Sequence, residues 1–78
     1  MYYVYLLKLK GNKIYTGSTP EIKKRFKEHS NGKCKSTKNF RPLKLIWFGA
    51  FKNRLTARRF ENYLKSGSGQ AFRNKRLI

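Results

Sequence analysis

Apolar residues are concentrated in two runs of this chain, residues 2–9 and 43–51, and most of the remainder is polar and basic. The first run alternates and is rich in Tyr, Val and Leu, which is typical of a β-strand. The second run is apolar and aromatic, so we expect it to form a central strand. With 78 residues, of which 38% are hydrophobic, the chain can form one domain over residues 1–78 around a small core.

Turn signals divide the first half of the chain. Residues 10–13 predict a turn to a second short strand, residues 14–17, as in an antiparallel hairpin. Thr19 followed by proline predicts a helix start, with the threonine as N-cap. This helix is expected to run to about Ser30 and to end at residues 31–32, an Asn-Gly pair.

The second half of the chain predicts a third strand followed by helix. Asn53 or Thr56 could cap a helix that continues through Lys65. The apolar stripe of this helix consists of Ala57, Phe60 and Leu64. Residues 66–69 end it, and residues 70–78 are expected to form a short third helix. The order β-β-α-β-α-(α) predicts an α/β (α+β) sandwich with a three-stranded sheet.

The charge balance indicates the class of partner. The chain has 20 Lys and Arg against 3 Asp and Glu, for a formal net charge of +17. Such a surface attracts polyanions and binds them in a salt-dependent way. A membrane surface would favour a basic amphipathic helix, whereas the basic residues here are spread over every predicted element. Nucleic acid is therefore the expected partner, with a merely solvated basic surface as the alternative.

The single cysteine, Cys34, excludes an intrachain disulfide and a thiolate zinc cluster. It fits a reducing compartment. No apolar run approaches the ~18–20 residues of a membrane span, and the N-terminal run lacks the basic region of a signal peptide. We therefore expect a cytoplasmic, nucleoid-associated protein that does not bind a membrane.

Few residues can provide carboxylate chemistry, since only three acids are present. Glu21 lies in the first turn of the first predicted helix and offsets its dipole, while Glu28 is expected to face solvent. Glu61 borders the apolar stripe of the second helix among cations. It forms either a surface ion pair, the commoner case, or an oxygen ligand for a hard divalent cation beside a substrate phosphate.

The first predicted helix combines a histidine with an arginine. Ile22, Phe26 and His29 share its apolar face, where a packed imidazole ring is commoner than a general base. Arg25 lies one turn before His29, and a neighbouring cation lowers the pKa of an imidazole and favours its neutral, proton-accepting form. Such a pair suits phosphodiester hydrolysis, in which charge develops and a proton moves.

Tyrosines and a basic loop complete the set of candidates. Tyr3 and Tyr5 share one face of the first strand, and Tyr15 on the second strand could approach Tyr5. Strand tyrosines mostly pack, and their alternative role is to place hydroxyl groups beside a catalytic water. A loop after the first helix predicts a phosphate clamp or, alternatively, a solvated segment. Its polar residues are Lys33, Lys35, Ser36, Thr37, Lys38 and Arg41.

Two large aromatic residues of the third strand need a separate interpretation. Trp47 and Phe48 are expected to pack in the core, because a base-stacking platform requires exposed aromatic rings.

Taken together, these residues resemble the GIY-YIG nuclease superfamily, and most of all its small single-domain bacterial members. The resemblance covers about residues 2–72. Its motifs are Tyr3-Val4-Tyr5, Tyr15-Thr16-Gly17, the Arg25–His29 step, Arg41-Pro42 and residues 61–67. Tyr3 and Thr16 stand where the family name has Gly and Ile. Gln70 replaces an arginine that members often carry, and Asn74 is only an inexact match to a C-terminal family asparagine.

The resemblance implies a three-stranded antiparallel sheet flanked by helices and a nuclease that uses one divalent metal, Mg²⁺ or Mn²⁺. By that analogy Glu61 is the metal ligand and Arg25 holds the scissile phosphate. Tyr5 and Tyr15 are the motif tyrosines, one of which positions or deprotonates the attacking water. His29 assists proton transfer or substrate positioning. Lys65 joins the basic loop as an expected nucleic-acid contact.

We therefore expect a metal-dependent endonuclease that cuts DNA with low sequence specificity in repair, recombination or processing. Branched, damaged and single-stranded DNA are the candidate substrates. The main alternative is a catalytically weak, basic nucleic-acid-binding module on the same fold, and a subunit of a larger complex is a third. Loss of function in Glu61→Ala distinguishes the nuclease from the binding module.

Overall fold

The computed structural model of the chain describes residues 1–78 and contains three strands and three α-helices. The strands are β1 (Tyr2–Lys8), β2 (Ile14–Thr19) and β3 (Lys44–Phe51), and the helices are α1 (Ile22–Ser30), α2 (Arg54–Lys65) and α3 (Gly67–Arg76). A short 3₁₀ helix, Lys38–Phe40, lies between α1 and β3. The sheet is antiparallel, with strand order β2-β1-β3. The predicted α+β class and element order are confirmed.

The prediction of β3 as the central strand is wrong, because β1 occupies that position. Residues 4–7 of β1 are at most 1% exposed, since both faces of the sheet are covered around them. No residue of β3 is buried, and its aromatic side chains alternate between a packed and an open face. An apolar run therefore marked an edge strand that is only half covered.

The sheet separates two small cores. On one face Val4 and Leu6 pack with Ala57 and Leu64 of α2, where Phe60 is partly buried beside them. On the other face Tyr5, Leu7 and Leu9 pack against Ile22 and Phe26 of α1. The predicted apolar stripes of both helices are confirmed by these contacts.

The first helix begins later than predicted. Thr19 still pairs with Tyr3 as the last residue of β2, so it is not the N-cap. Its hydroxyl instead accepts a hydrogen bond from the Glu21 N–H at 3.1 Å, and Glu21 itself takes the N-cap position without a side-chain cap. The predicted end is confirmed: Gly32 has φ +76° and its N–H donates to the His29 carbonyl at 3.1 Å, as in a Schellman motif.

Side-chain caps determine the later helix boundaries. Of the two candidate caps of α2, Asn53 is the one used, and its Oδ1 accepts from the Thr56 N–H at 2.9 Å. Ser66 ends α2 and also caps α3, because its Oγ accepts from the Gly69 N–H at 3.1 Å. The third helix therefore begins at Gly67, earlier than predicted. None of α1, α2 and α3 combines the length and the hydropathy that a membrane-spanning helix requires.

Candidate active site

Two tyrosines and the histidine converge on one face of the sheet. The Tyr5 hydroxyl lies 2.9 Å from His29 Nε2, and the Tyr15 ring centroid is 5.0 Å from that of His29. Tyr15 also approaches Tyr5, as predicted, with 6.3 Å between ring centroids. Register explains the convergence, because Tyr5 pairs with Gly17 in the neighbouring strand and α1 packs over both.

Gly17 is required for this arrangement because the Tyr5 ring crosses directly over it. A Cβ at position 17 would lie 2.5 Å from the Tyr5 hydroxyl oxygen and 3.1 Å from Cε1 of Tyr15. Only a residue without a side chain leaves room for Tyr5 to reach His29. The glycine of the Tyr15-Thr16-Gly17 motif therefore has a packing role.

Thr37 holds the second ring nitrogen of His29. The distance between Thr37 Oγ1 and His29 Nδ1 is 2.7 Å, and both residues are fully buried. The expectation that Thr37 contacts a phosphate is therefore wrong, because its hydroxyl faces the interior. Tyr5, His29 and Thr37 instead form a buried chain of hydrogen-bonding side chains.

Burial and Arg25 determine the charge states in this chain. Burial is the main cause that raises the pKa of Tyr5 to about 12, and a hydrogen bond with Arg25 opposes the rise. The pKa of His29 is lowered by burial and then by the positive charge of Arg25. The predicted effect of the arginine on the imidazole is thus confirmed in direction. At neutral pH the phenol and the imidazole are both uncharged.

Arg25 lies in a polar cleft of about 350 Å³ at the junction of β2 and α1. Its Nη1 donates to Glu28 Oε1 at 3.2 Å, so Glu28 is half-buried in an ion pair and does not simply face solvent as expected. The interaction with Tyr5 raises the pKa of Arg25 further above its usual value. Because a guanidinium has five N–H donors, Arg25 keeps donors for an anionic ligand of the cleft.

Glu61 lies on the opposite face of the sheet, where α2 crosses β2. Ser18 Oγ donates to its Oε1 at 2.6 Å and Lys65 Nζ to its Oε2 at 2.8 Å. Although burial acts to raise the pKa of this carboxyl, the hydrogen bonds from Lys65 and Ser18 outweigh it, and the pKa is lowered. Glu61 is therefore ionised at neutral pH. Its side chain keeps 12% exposure.

Edge strand β2 joins the two halves of the site. Ser18 and Thr19 both line the cleft that contains Arg25, and Ser18 also binds Glu61. Because successive strand residues point to opposite faces, Ser18 faces Glu61 while Tyr15 and Gly17 face the histidine. The five predicted catalytic residues thus surround one edge of the sheet, four on one side and Glu61 on the other.

The predicted clamp loop is largely exposed. Lys33, Lys35, Ser36 and Lys38 have free side chains at the surface. Arg41 is also exposed, but its Nε donates to the Lys38 carbonyl at 3.1 Å. Lys65 forms the ion pair with Glu61, so its ammonium group contacts a carboxylate in this structure.

Four further residues named in the sequence analysis have contacts that only the structure reveals. Gln70 Nε2 donates to the Lys65 carbonyl at 3.1 Å and so closes the end of α2. Asn74 lines a separate cavity with Lys8 and Arg73. Phe48 is 52% exposed, so its predicted core position is wrong, whereas Trp47 packs on Phe60 with 6.0 Å between ring centroids.

Sequence reasoning missed Ser18 as the partner of Glu61 and Thr37 as the partner of His29. Ser18 is separated from Glu61 by 43 positions, and no local pattern indicates such a pairing. Thr37 lies in a loop of similar polar residues, where only the tertiary structure distinguishes the one that turns inward.

The residues present fit a hard divalent cation held mainly by water. No three His, Cys, Asp or Glu side chains group together in the chain, so an all-protein metal cage is absent. Mg²⁺ retains several waters and is commonly bound by one or two carboxylates together with a substrate phosphate. Glu61 provides one ionised carboxylate with residual exposure, and Ser18 adds a hydroxyl oxygen beside it.

Comparison with known proteins gives consistent matches. A family model described as the GIY-YIG catalytic domain matches residues 1–76. A UPF0213 protein of Clostridium perfringens is 44% identical over 66 residues, which cover 83% of this chain and 71% of that protein. A UPF0213 protein of Vibrio parahaemolyticus is 41% identical over 63 residues, and the match spans 80% of this chain but only 59% of that relative.

A solved structure matches as well. The solution NMR structure of a UPF0213 protein from Bacillus halodurans is similar with a TM-score of 0.56 and 35% sequence identity. The match covers 91% of this chain and 80% of that chain.

Proposed function

The chain belongs to the GIY-YIG nuclease family, and from that membership we propose that it is a metal-dependent endonuclease that hydrolyses DNA phosphodiester bonds. The observation that carries the proposal is the arrangement around β2. An ionised carboxylate, an arginine and a phenol–imidazole pair surround one edge of a strongly basic domain. These are the groups that phosphodiester hydrolysis requires.

Glu61 is the proposed ligand of a single Mg²⁺ or Mn²⁺ ion. Bound there, the ion supplies Lewis-acid stabilisation of the phosphate. Ser18 keeps the carboxylate oriented through its hydrogen bond to Oε1. A single carboxylate is consistent with the one-metal reaction implied by the family resemblance.

Arg25 is the proposed phosphate-binding group. It lies in the polar cleft beside Ser18 and Lys24, and it is charged at every physiological pH. Its guanidinium lies between Glu28, to which it donates at 3.2 Å, and Tyr5, whose proximity raises the pKa of Arg25. A held guanidinium stabilises charge that develops on a phosphate without first having to reorganise.

We assign proton transfer from the attacking water to the two tyrosines, with support from His29. His29 is fully buried and Tyr5 is 1% exposed, so neither meets bulk water, and any effect of His29 passes through the Tyr5 hydroxyl. Tyr15 is the half-buried member of the group. We assign Tyr15 the contact with the attacking water, and the Tyr5–His29 pair the support of its proton transfer.

The substrate of the proposed reaction is DNA bound mainly through charge. A surface with a net charge of +17 supplies affinity that does not depend on sequence. The exposed residues Lys33, Lys35, Ser36 and Lys38 are proposed phosphate contacts. We propose a role in DNA repair, recombination or processing, with which low sequence specificity is compatible.

One observation favours the second candidate, a binding module without activity. Both oxygens of Glu61 already accept hydrogen bonds within the chain, from Ser18 and Lys65. If Lys65 never leaves the carboxylate, no cation can replace it. The domain would then bind nucleic acid and not cut it.

A nicking assay tests the proposal. Supercoiled plasmid and branched and single-stranded oligonucleotides are incubated with the protein and Mg²⁺ or Mn²⁺, and then with chelator. We expect cutting only with metal, and a loss of about 100-fold or more in Glu61→Gln and Arg25→Ala, as for other groups that stabilise developing charge. Arg76→Ala removes one exposed cation far along α3 and serves as the charge-matched control for Arg25→Ala.

Each outcome has a definite meaning. Cutting that survives in Glu61→Gln contradicts the assigned metal ligand. Salt-sensitive binding with no cutting under any metal condition, equal in wild type and Glu61→Gln, establishes the binding module instead.

A further inference from the structure

The sheet face that carries Tyr5 is only partly covered. At one end, α1 and the second core cover Tyr5 and Leu7. Toward the β3 edge of the same face, Phe48 is 52% exposed and Ala50 is exposed as well. Tyr3 lies next to Phe48, with 6.2 Å between the ring centroids and an edge-on angle of 62°. The Phe48 ring is thus open to solvent on the sheet surface, and the half-buried Tyr3 ring contacts it.

This aromatic pair adjoins the candidate active site. Phe48 is the cross-strand partner of Tyr5, and paired residues point to the same face of a sheet. Tyr3 is paired with Thr19, which lines the cleft that contains Arg25. Tyr3 and Tyr5 are two positions apart on one strand, a spacing of about 6.8 Å. A strand of nucleic acid held at the cleft therefore passes beside these rings.

The net charge of the domain limits which molecules can bind to the aromatic pair. A second copy of the chain would bring another +17 surface against the first, and like charges oppose such an association. A polyanion is attracted by the same field. Nucleic acid also has the flat apolar surfaces that aromatic rings contact best, namely its base faces.

Only an unpaired base offers such a face. Bases within a duplex are stacked on one another, whereas bases of single strands can lie on exposed aromatic side chains. We propose that Tyr3 and Phe48 form a stacking platform for unpaired bases next to the bond that is cut. The preferred substrate is then DNA with single-stranded nucleotides at the cleavage point. This inference rests on the proposed nuclease function.

One residue of the platform departs from the family motif. Tyr3 stands where the family motif has glycine, which could not provide a ring. Another contacting aromatic pair, Tyr63 and Phe72, lies on α2 and α3 with 6.1 Å between ring centroids. Phe72 is 38% exposed, and it provides a matched control outside the candidate site.

The test measures binding without cutting. Labelled oligonucleotides of one sequence are prepared as a single strand, a duplex with a single-stranded flap and a blunt duplex, and their affinities are measured by fluorescence anisotropy in chelator at constant salt. Phe48→Leu keeps an apolar contact for Tyr3 but removes the ring. We expect about 5- to 150-fold weaker binding of the single strand and the flap, the range for loss of one stacked base, with blunt duplex affinity within about twofold of wild type.

The controls identify the ring as the cause. Phe72→Leu is expected to bind all three oligonucleotides as wild type does, and Phe48→Trp is expected to restore single-strand binding. If Phe48→Leu folds poorly, photocross-linking of the wild-type protein to an iodouracil-containing single strand replaces it, with cross-links expected at residue 3 or 48. Equal losses for single strand and duplex, no loss at all, or cross-links confined to other residues would overturn the platform.

The outcomes separate this inference from the proposed function. Phe48-dependent binding of single strands by a protein that cuts nothing keeps the platform and overturns the nuclease. Metal-dependent cutting of blunt duplex and flap at equal rates, unchanged in Phe48→Leu, keeps the nuclease and overturns the platform. A third outcome is that Phe48→Leu abolishes a concentration-dependent self-association and leaves single-strand binding unchanged. The aromatic pair is then an interface between copies of the chain, and the platform is overturned.

Discussion

The contact between Thr37 and His29 can be removed without changing the shape of the interior. Thr37→Val replaces the hydroxyl that lies 2.7 Å from His29 Nδ1 by a methyl group. Both residues are 0% exposed, so water cannot replace the lost partner, and one ring nitrogen is left unsatisfied. A buried polar group without a partner costs about 1–3 kcal/mol. In a domain of 60–100 residues each kcal/mol lowers Tm by about 4–8 °C, so we expect Tm to fall by roughly 4–24 °C.

Urea unfolding followed by the fluorescence of Trp47, the single tryptophan, measures this loss. Thr37→Ser keeps the hydroxyl and is expected to lose only about 1 kcal/mol for the buried methyl group. Ser36→Ala changes the exposed neighbour, and its free energy of unfolding should stay within about 0.5 kcal/mol of wild type. If Thr37→Val is as stable as Ser36→Ala, the hydroxyl does not hold the imidazole and the reasoning is refuted.

Two further predictions concern the same cluster. Because the pKa of His29 is lowered by burial and Arg25, the unfolded chain binds a proton that the folded chain excludes. Stability should therefore fall as pH drops below about 6.5. Thermal melts from pH 7.5 to 5 should show this slope in wild type and not in His29→Gln, while the lowered pKa of Glu61 acts only below its ordinary value of 4.5. Gly17→Ala places a Cβ against the Tyr5 hydroxyl and should destabilise the protein by about 1–3 kcal/mol through overpacking; unchanged urea unfolding would contradict the close approach.

The elements of this fold were predictable because their signals are local. Residues 31–32 end α1 through a glycine with positive φ, and Asn53 caps α2 within one turn. Thr19 was misread because its hydroxyl does bind a nearby N–H, but strand pairing with Tyr3 keeps its backbone in β2. Long-range pairing outweighed the local capping preference at that position.

Strand order and the second contacts of the site are not local properties. An apolar run suggested that β3 lies at the centre of the sheet. Phe48 of that run lies instead on an open sheet face, where it is exposed to solvent. Because β1 contains several tyrosines, its sequence did not indicate that the strand is buried on both faces. Likewise, motif residues were identifiable one by one, whereas the pairing of Ser18 with Glu61 depends on how α2 crosses the sheet.

The ion pair of Glu61 links substrate binding to metal binding in the proposed reaction. Lys65 is 53% exposed at its side chain, whereas Glu61 is 12% exposed, so the lysine is the partner that can turn toward solvent or toward another anion. Ser18 remains on the other carboxylate oxygen and keeps its orientation. A DNA phosphate that approaches the edge of β2 is a competing anion for Lys65. In the proposed reaction, a phosphate that attracts Lys65 would free one oxygen of Glu61 for a divalent cation, and the lysine would change from the partner of the carboxylate to a contact of the substrate.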